Sequence, residues 1–482
     1  MKTAANRRKT TWIITAIFGI LFFFLLAFRL DLFREKTLKF QPVEALTSEK
    51  ESWMNIFQNG QKIGYARRSI TPHPNGYHLF ESTRMRINTM GMVQDIHFSI
   101  TGALQPDFTI ASFTFDMQSS LFHFKVNGKR EGDILRIFSE NQETQIPVSE
   151  GILLASGALE AALDSIAQPN QTLTFSVFDP LTMNKHPVRI TMKGYETLQI
   201  MGHDQTARKV SIELMGVSQM AWIGEDGSIL QEDGLLGIRL QQATKENALE
   251  DEWLTSSQDL TEMVSVPSNV VLKSPNELNR IKLKITGIPD TMDLNGGRQL
   301  YEAPILTIDR ETLPTTFEST EIIDRRFRVS TPFIQSDHPN MRHQVSEIVA
   351  PTDSPLTKAS KIMDWIYTHI EKRPVLSVPN ALETLNHRMG DCNEHAVLFA
   401  AMLRTAGIPV QIETGLLYSK GRFYYHAWNS LYLGKWITAD ALMGQMPTDV
   451  THICILRGDI EQQVDLIGII GKIELEILEP TS

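Results

Sequence analysis

No disulfide framework is available to this chain, because cysteine occupies only two of its 482 positions, Cys392 and Cys454. Basic excess is also missing: 46 Lys and Arg stand against 56 Asp and Glu, a formal charge of -10. A basic face able to neutralise a phosphate backbone is therefore not expected, which argues against nucleic acid as a partner. The sequence has no His-Glu-x-x-His and no Gly-rich phosphate loop followed by Lys and Ser or Thr, so neither a zinc-peptidase helix nor a nucleotide cradle is written in it. Cys392 with His395, and His452 with Cys454, are spaced like half a metal site. A structural zinc needs four ligands, and no second pair completes either set, so no metal and no cofactor are expected. Fixed-period repeats and low-complexity tracts are absent, which excludes a solenoid.

What is present is apolar residue in quantity, 42% of the chain. A chain of this length exceeds what one core usually serves, so two or three domains are expected. Residues 1–9 are a basic tail carrying Lys2, Arg7, Arg8 and Lys9. Residues 10–29 then include the charge-free run "WIITAIFGILFFFLLAF", about the ~20 residues needed to cross a bilayer as a helix. A secretory signal would end at a small-x-small site. Phe28, Arg29 and Leu30 follow here instead, so an uncleaved anchor is the reading. Basic residues flank both sides, with Arg29, Arg34, Lys36 and Lys39 on the far side. The expectation is a cytoplasmic N-terminus with the body exported, the reverse orientation being the alternative.

Beyond a charged stalk at 30–50, residues 51–264 read as an antiparallel β-rich domain of unknown role. Short Ile, Phe, Val and Thr runs alternate with turn dipeptides at Asn59-Gly60, Asn75-Gly76, Asn127-Gly128 and Asp226-Gly227. One helical insertion is expected from Gly157. Residues 265–279 have the Pro, Ser and Asn content of a linker, and 280–338 read as connecting β segments. From 339 to 482 the pattern turns α+β. "NMRHQVSEIVA" and "LTKASKIMDWIYTHIEK" read as helices, and Ile362, Ile366 and Ile370 form a core stripe.

The chemistry concentrates in "MGDCNEHAVLFAAMLRTAGIPV". It places Cys392 in the first turn of a helix that ends near Arg404 with Gly407 as its stop. Unpaired N–H groups and the helix dipole favour a thiolate there; Asp391 and Glu394 oppose it, so a base is required. Downstream, Val410 to Leu417 and Phe423 to Leu433 read as paired strands around the turn "YSKGR". Tyr424, His426 and Trp428 share one face of the second, and "KWITAD" brings Asp440 back toward the sheet. Cysteine, histidine and aspartate so arranged form a nucleophile, a base and an orienting carboxylate. The N–H of Cys392 would supply one oxyanion donor. Tyr424 and Trp428 are candidate cleft walls.

"GDCNEHAVLFAAMLRTAGIPV" followed by "YHAWNSLYLGKWITAD" resembles the core of the transglutaminase-like superfamily, a papain-related thiol fold, over roughly residues 340 to 460, and suggests the bacterial membrane-anchored type. The resemblance implies Cys392 as nucleophile, His426 as base and Asp440 as its orienting partner. It departs at Ala441, where many relatives carry proline. Members include cross-linking acyltransferases, peptidases, amidases and inactive copies. The expected activity is thus acyl transfer or hydrolysis at amide bonds of proteins or peptides. The alternative is a silent peptide-binding or scaffold module of the cell envelope.

Overall fold

The computed structural model describes residues 37–38, 46–120, 122–139, 142–148, 151–155, 168–250, 258–315, 322–459 and 463–481. The basic tail, the anchor at 10–29, most of the stalk and the helical insertion expected from Gly157 lie outside the described residues. Among the described residues no helix is long and apolar enough to cross a membrane.

The first body is one sheet of sixteen strands. Two antiparallel meanders, one running from Lys50–Gln58 to Gln142–Pro147 and the other from Thr172–Asp179 to Ile238–Ala243, are joined where Ile238–Ala243 pairs with Lys50–Gln58. Alternation is the cause of the layering. Along His123–Glu131, Phe124, Val126 and Gly128 face inward while Lys125, Asn127 and Lys129 face solvent. Leu79, Ile110, Val126 and Leu135 from the first meander meet Leu173, Phe178 and Ile190 from the second in one apolar cluster. A sheet whose two ends supply one core must wrap around it.

Asn59-Gly60 and Asp226-Gly227 reverse the chain as expected, with positive φ at Asn59, Gly60 and Gly227. Pro74 and Asn75 separate two paired strands likewise. Asn127-Gly128 does not: both residues lie inside a continuous strand, and the reversal comes after Glu131, where Gly132 has φ +62°. Gly128 answers to packing instead. A Cβ on it would lie 1.9 Å from the Phe113 ring.

The second body carries four helices, α1 (Pro339–Ile348), α2 (Pro355–His369), α3 (Ala381–His387) and α4 (Cys392–Thr405). Its sheet holds β1 (Val410–Ser419), β2 (Arg422–Tyr432), β3 (Trp436–Ala439) and β4 (His452–Arg457). The antiparallel order is β2, β1, β4, and β3 pairs the outer edge of β2 at 429–432. Val266 and Pro267 from the expected linker pair that same edge at 422–423. From Ala396 to Leu403 helix α4 is apolar on every side and correspondingly buried, with Leu398, Phe399, Ala400 and Ala401 sealed from solvent. Ile362 and Ile366 of α2 and the capping Ile370 join its core. Beyond α4, Gly407 takes φ +85° and Ile408 N–H closes onto the Leu403 carbonyl, which ends the helix.

A third, four-stranded sheet is made of Gln299–Glu302, Ile305–Asp309, Arg280–Thr286 and the C-terminal Glu474–Thr481. Its Ile281, Leu283 and Leu306 pack against Leu416, Phe423 and Ile453 of the helix-bearing body.

Candidate active site

Cys392 opens α4, and the residues before and after it fix where it stands. Asp391 caps the helix by accepting the Asn393 N–H, while Glu394 reaches back to accept the Asp391 N–H at 3.0 Å. Gly390 is required by this box, because a Cβ there would sit 2.2 Å from the Glu394 Cβ. The helix is then tied to the sheet by Asn429, whose Nδ2 donates to the Ala396 carbonyl at 3.0 Å.

Between 422–423 and 429–432, the outer edge of β2 has no strand partner among the described residues. Ala427 lies on that open edge, and its N–H acts to lower the proton affinity of the Cys392 thiol.

Burial pushes the Cys392 thiol well above its usual value. The charge of Asp391, and less strongly those of Glu394 and Asp440, push the same way, and the Ala427 N–H opposes them. The resting sulfur therefore keeps its proton. This agrees with the expectation that the acidic neighbours make a base necessary. Glu394 itself is raised well above the ordinary carboxyl range by burial and by Asp391.

His426 Nε2 stands 2.7 Å from Asp440 Oδ2. Burial of Asp440 would raise its carboxyl, but the charge and hydrogen bond of His426, with those of His452, hold it well below the usual range. An ionised carboxylate only accepts, so His426 Nε2 carries the hydrogen, and in the neutral ring Nδ1 is the basic nitrogen. This is the tautomer a thiol proton needs. Asp440 is held by its main chain as well: it pairs with Gln445 in both directions, at 2.8 and 3.0 Å, and its Oδ1 accepts the Met443 N–H at 3.0 Å. The Ala441 departure is thereby compensated, since hydrogen bonds rather than a proline ring fix the loop.

Of the two candidate cleft walls, Tyr424 lines a cleft of about 510 Å³ together with His426, Leu417, Met443 and Glu262. Met90, from the tip of a hairpin in the sixteen-stranded sheet, closes another side. There Asp259 takes the Gly91 N–H at 2.5 Å, joining the two bodies. Trp428 is not a wall. It is 1% exposed, lies beneath His426 with ring centroids 6.0 Å apart and bonds Glu413 through Nε1. Strand alternation puts it on the face of His426, but there the Glu413 side chain of β1 and the His452 ring of β4 lie against it.

Sequence reasoning weighed His452 only as a partner for Cys454. In the structure His452 Nε2 lies 3.1 Å from the same Asp440 Oδ2, and its Nδ1 lies 3.3 Å from Asp449 Oδ1. The i, i+3 spacing of Asp449 and His452 is the one local signal; the contact with Asp440 closes the two ends of the connection between β3 and β4, twelve residues apart, and leaves none. Neither cysteine takes part. Cys392 and Cys454 are both free and buried, and His395 turns its Nδ1 to the Asp391 carbonyl at 2.7 Å.

Residues 342–441 match the model of the transglutaminase-like superfamily. No curated protein sequence matches the chain. Among solved structures, a proposed cysteine protease from Cytophaga hutchinsonii is similar at 16% identity and TM-score 0.28, over 41% of this chain and 83% of that one. A β-barrel-like protein of a domain of unknown function from Brucella abortus is similar at 10% identity and TM-score 0.33, over 43% and 98%. The periplasmic domain of TgpA from Pseudomonas aeruginosa is similar at 19% identity and TM-score 0.21, over 25% and 49%.

Proposed function

Because residues 342–441 match the transglutaminase-like superfamily, we propose that this chain is a thiol enzyme acting on amide bonds of proteins or peptides through a thioester on Cys392. The observation that carries the reading is the His426 Nε2 to Asp440 Oδ2 contact of 2.7 Å, with the N–H of Ala427, next along the strand from His426, acting to lower the proton affinity of the Cys392 thiol. His426 Nδ1 takes the thiol proton and the sulfur adds to the substrate carbonyl carbon. The C–N bond then breaks, and the departing amine takes the proton from His426. Water or a second amine, deprotonated by the same nitrogen, adds to the thioester and expels the thiol. The N–H of Cys392, unpaired within the helix, is one donor to the oxyanion. No cofactor enters these steps.

The apolar run at 12–28 supports a single-pass anchor, with the body exported and envelope proteins or peptides as substrates. Protease accessibility of the region beyond Arg34 in intact cells tests the orientation.

A catalytically silent peptide-binding module is the second reading, favoured by a nucleophile that is only 8% exposed. Iodoacetamide labelling of the Cys392 peptide, read by mass spectrometry, separates the two. The enzyme reading expects labelling at mild pH that falls at least tenfold in His426→Ala; labelling indifferent to His426 supports the silent module. Trapping with Cys392→Ala then identifies the substrate.

A further inference from the structure

Asp440 and Asp449 are two carboxylates buried in one small volume, with side-chain exposures of 1% and 6%. Such charges are costly unless a cation meets them. Arg298 lies nearby, but it donates to the main-chain carbonyls of Thr448, Asp449 and His452 and to the Thr448 hydroxyl, and touches neither carboxylate. His452 does touch both, from a side chain with no solvent exposure. A ring that donates from both nitrogens to these two carboxylates is an imidazolium.

The same ring belongs to the active site. Its centroid is 5.7 Å from that of His426 and 5.2 Å from that of Trp428, and its Nε2 shares Asp440 Oδ2 with His426 Nε2. Resting on the proposed thiol chemistry, we propose that His452 is a positioning residue, a buried imidazolium clamped between Asp440 and Asp449 that neutralises part of the Asp440 charge and so sets the pH range of the Cys392–His426 pair.

Burial alone would lower the proton affinity of His452, but the hydrogen bonds and charges of Asp440 and Asp449 outweigh it and raise it. The groups facing the ring are Asp440 beyond β3, Asp449 in the loop before β4 and His426 on β2. Arg298 faces its main chain from the third sheet. His426, Asp440 and His452 also present ligand atoms within 4.8 Å of one another, enough to hold a cation. In the hydrogen-bonded arrangement both imidazole hydrogens already point at Oδ2, and a cation would have to displace them.

The test is the pH dependence of iodoacetamide labelling of Cys392 in the full chain, in wild type, His426→Ala, His452→Gln and Asp449→Asn. Wild type shows two steps, formation of the thiolate–imidazolium pair and then loss of the imidazolium proton. In His452→Gln the upper step moves up by roughly one pH unit, because Asp440 then acts on His426 with its full charge. Asp449→Asn removes one of the two carboxylates that hold the proton on His452, so the ring turns neutral at lower pH, Asp440 regains charge toward His426, and the upper step moves the same way by less.

An upper step unchanged in both variants overturns the proposal. If His452→Gln does not fold, Asp449→Asn decides. A one-step profile that is the same in wild type and His426→Ala would instead sink the thiol-enzyme reading. Imidazole ¹⁵N shifts of histidine-labelled protein give a readout free of thiol chemistry: His452 doubly protonated at pH 7 is expected, and a neutral ring overturns the assignment. Loss of labelling contrast on adding zinc, reversed by a chelator and absent in His452→Gln, would make the cluster a metal site and also overturn it.

Discussion

Asn429, wholly buried on β2, donates its Nδ2 hydrogen to the Ala396 carbonyl of α4 at 3.0 Å, so the strand that carries His426 and the helix that carries Cys392 share a direct polar tie. Helix and strand otherwise meet through apolar side chains such as Ala396, Ala427 and Leu431, which set spacing but not register.

Asn429→Ala should therefore cost more in reactivity than in fold. The expected loss is about 1–2 kcal/mol of stability, the worth of one buried hydrogen bond and a small cavity. Labelling of Cys392 at neutral pH should fall several-fold. Urea melts and labelling rates on the same preparations check both, and an unchanged labelling rate would show that apolar packing alone holds the register.

Gly128→Ala addresses the other body. The new Cβ would lie 1.9 Å from the Phe113 ring, which is buried among its neighbours and has little room to move. Overpacking of this kind costs about 1–3 kcal/mol. The expected outcome is an earlier unfolding of the β-rich body with Cys392 labelling preserved, seen as a separate, lower transition in calorimetry.

Glu394→Gln tests the sign of a buried carboxyl. Its folded-state proton affinity is raised, by burial first and by Asp391 next. The stability it contributes is thus fully present below the ordinary unfolded value near pH 4.3 and is lost as the pH rises toward its folded value. The neutral amide removes that loss. Melting temperatures from pH 5 to 9 should fall less steeply in the variant than in wild type.

Asp449→Asn has the opposite sign. Hydrogen bonds and charge from His452, with the Thr451 hydroxyl and N–H, outweigh burial and hold the Asp449 carboxyl well below its usual range. Its contribution is present above the unfolded value near pH 3.9 and disappears as the pH falls through the folded value. At pH 7 the variant should be about 1–3 kcal/mol less stable, as for loss of a hydrogen bond to a charged group, and the gap should close in acid. Urea midpoints at pH 7 and pH 3 measure it.

Local features were legible in the chain because their causes are local. The Asp391 to Glu394 spacing writes the cap of α4, Gly407 writes its end, and alternation along 410–417 and 423–433 writes the two strands that carry the site. Cys392, His426 and Asp440 could be singled out from these elements and their order, and the structure bonds His426 to Asp440.

Other features depended on contacts across distance. Asn127-Gly128 carries the composition of a turn, yet Phe113 on the neighbouring strand, not the dipeptide, decides what glycine does there. Trp428 shares the alternation of Tyr424, but the depth of the sheet buries one and exposes the other to the cleft. Met90 reaches that cleft from more than three hundred positions away, by the docking of one body on the other. His452 meets Asp440 because β4 lies beside β1 on the far side of β2, a pairing with no period in the sequence. Backbone periodicity and capping are set by neighbours a few residues apart, and so the sequence alone determined the elements and the reactive types. Shared carboxylates, ring contacts and cleft walls arise only when strands remote in the chain are brought within hydrogen-bonding distance, and these the tertiary structure decided.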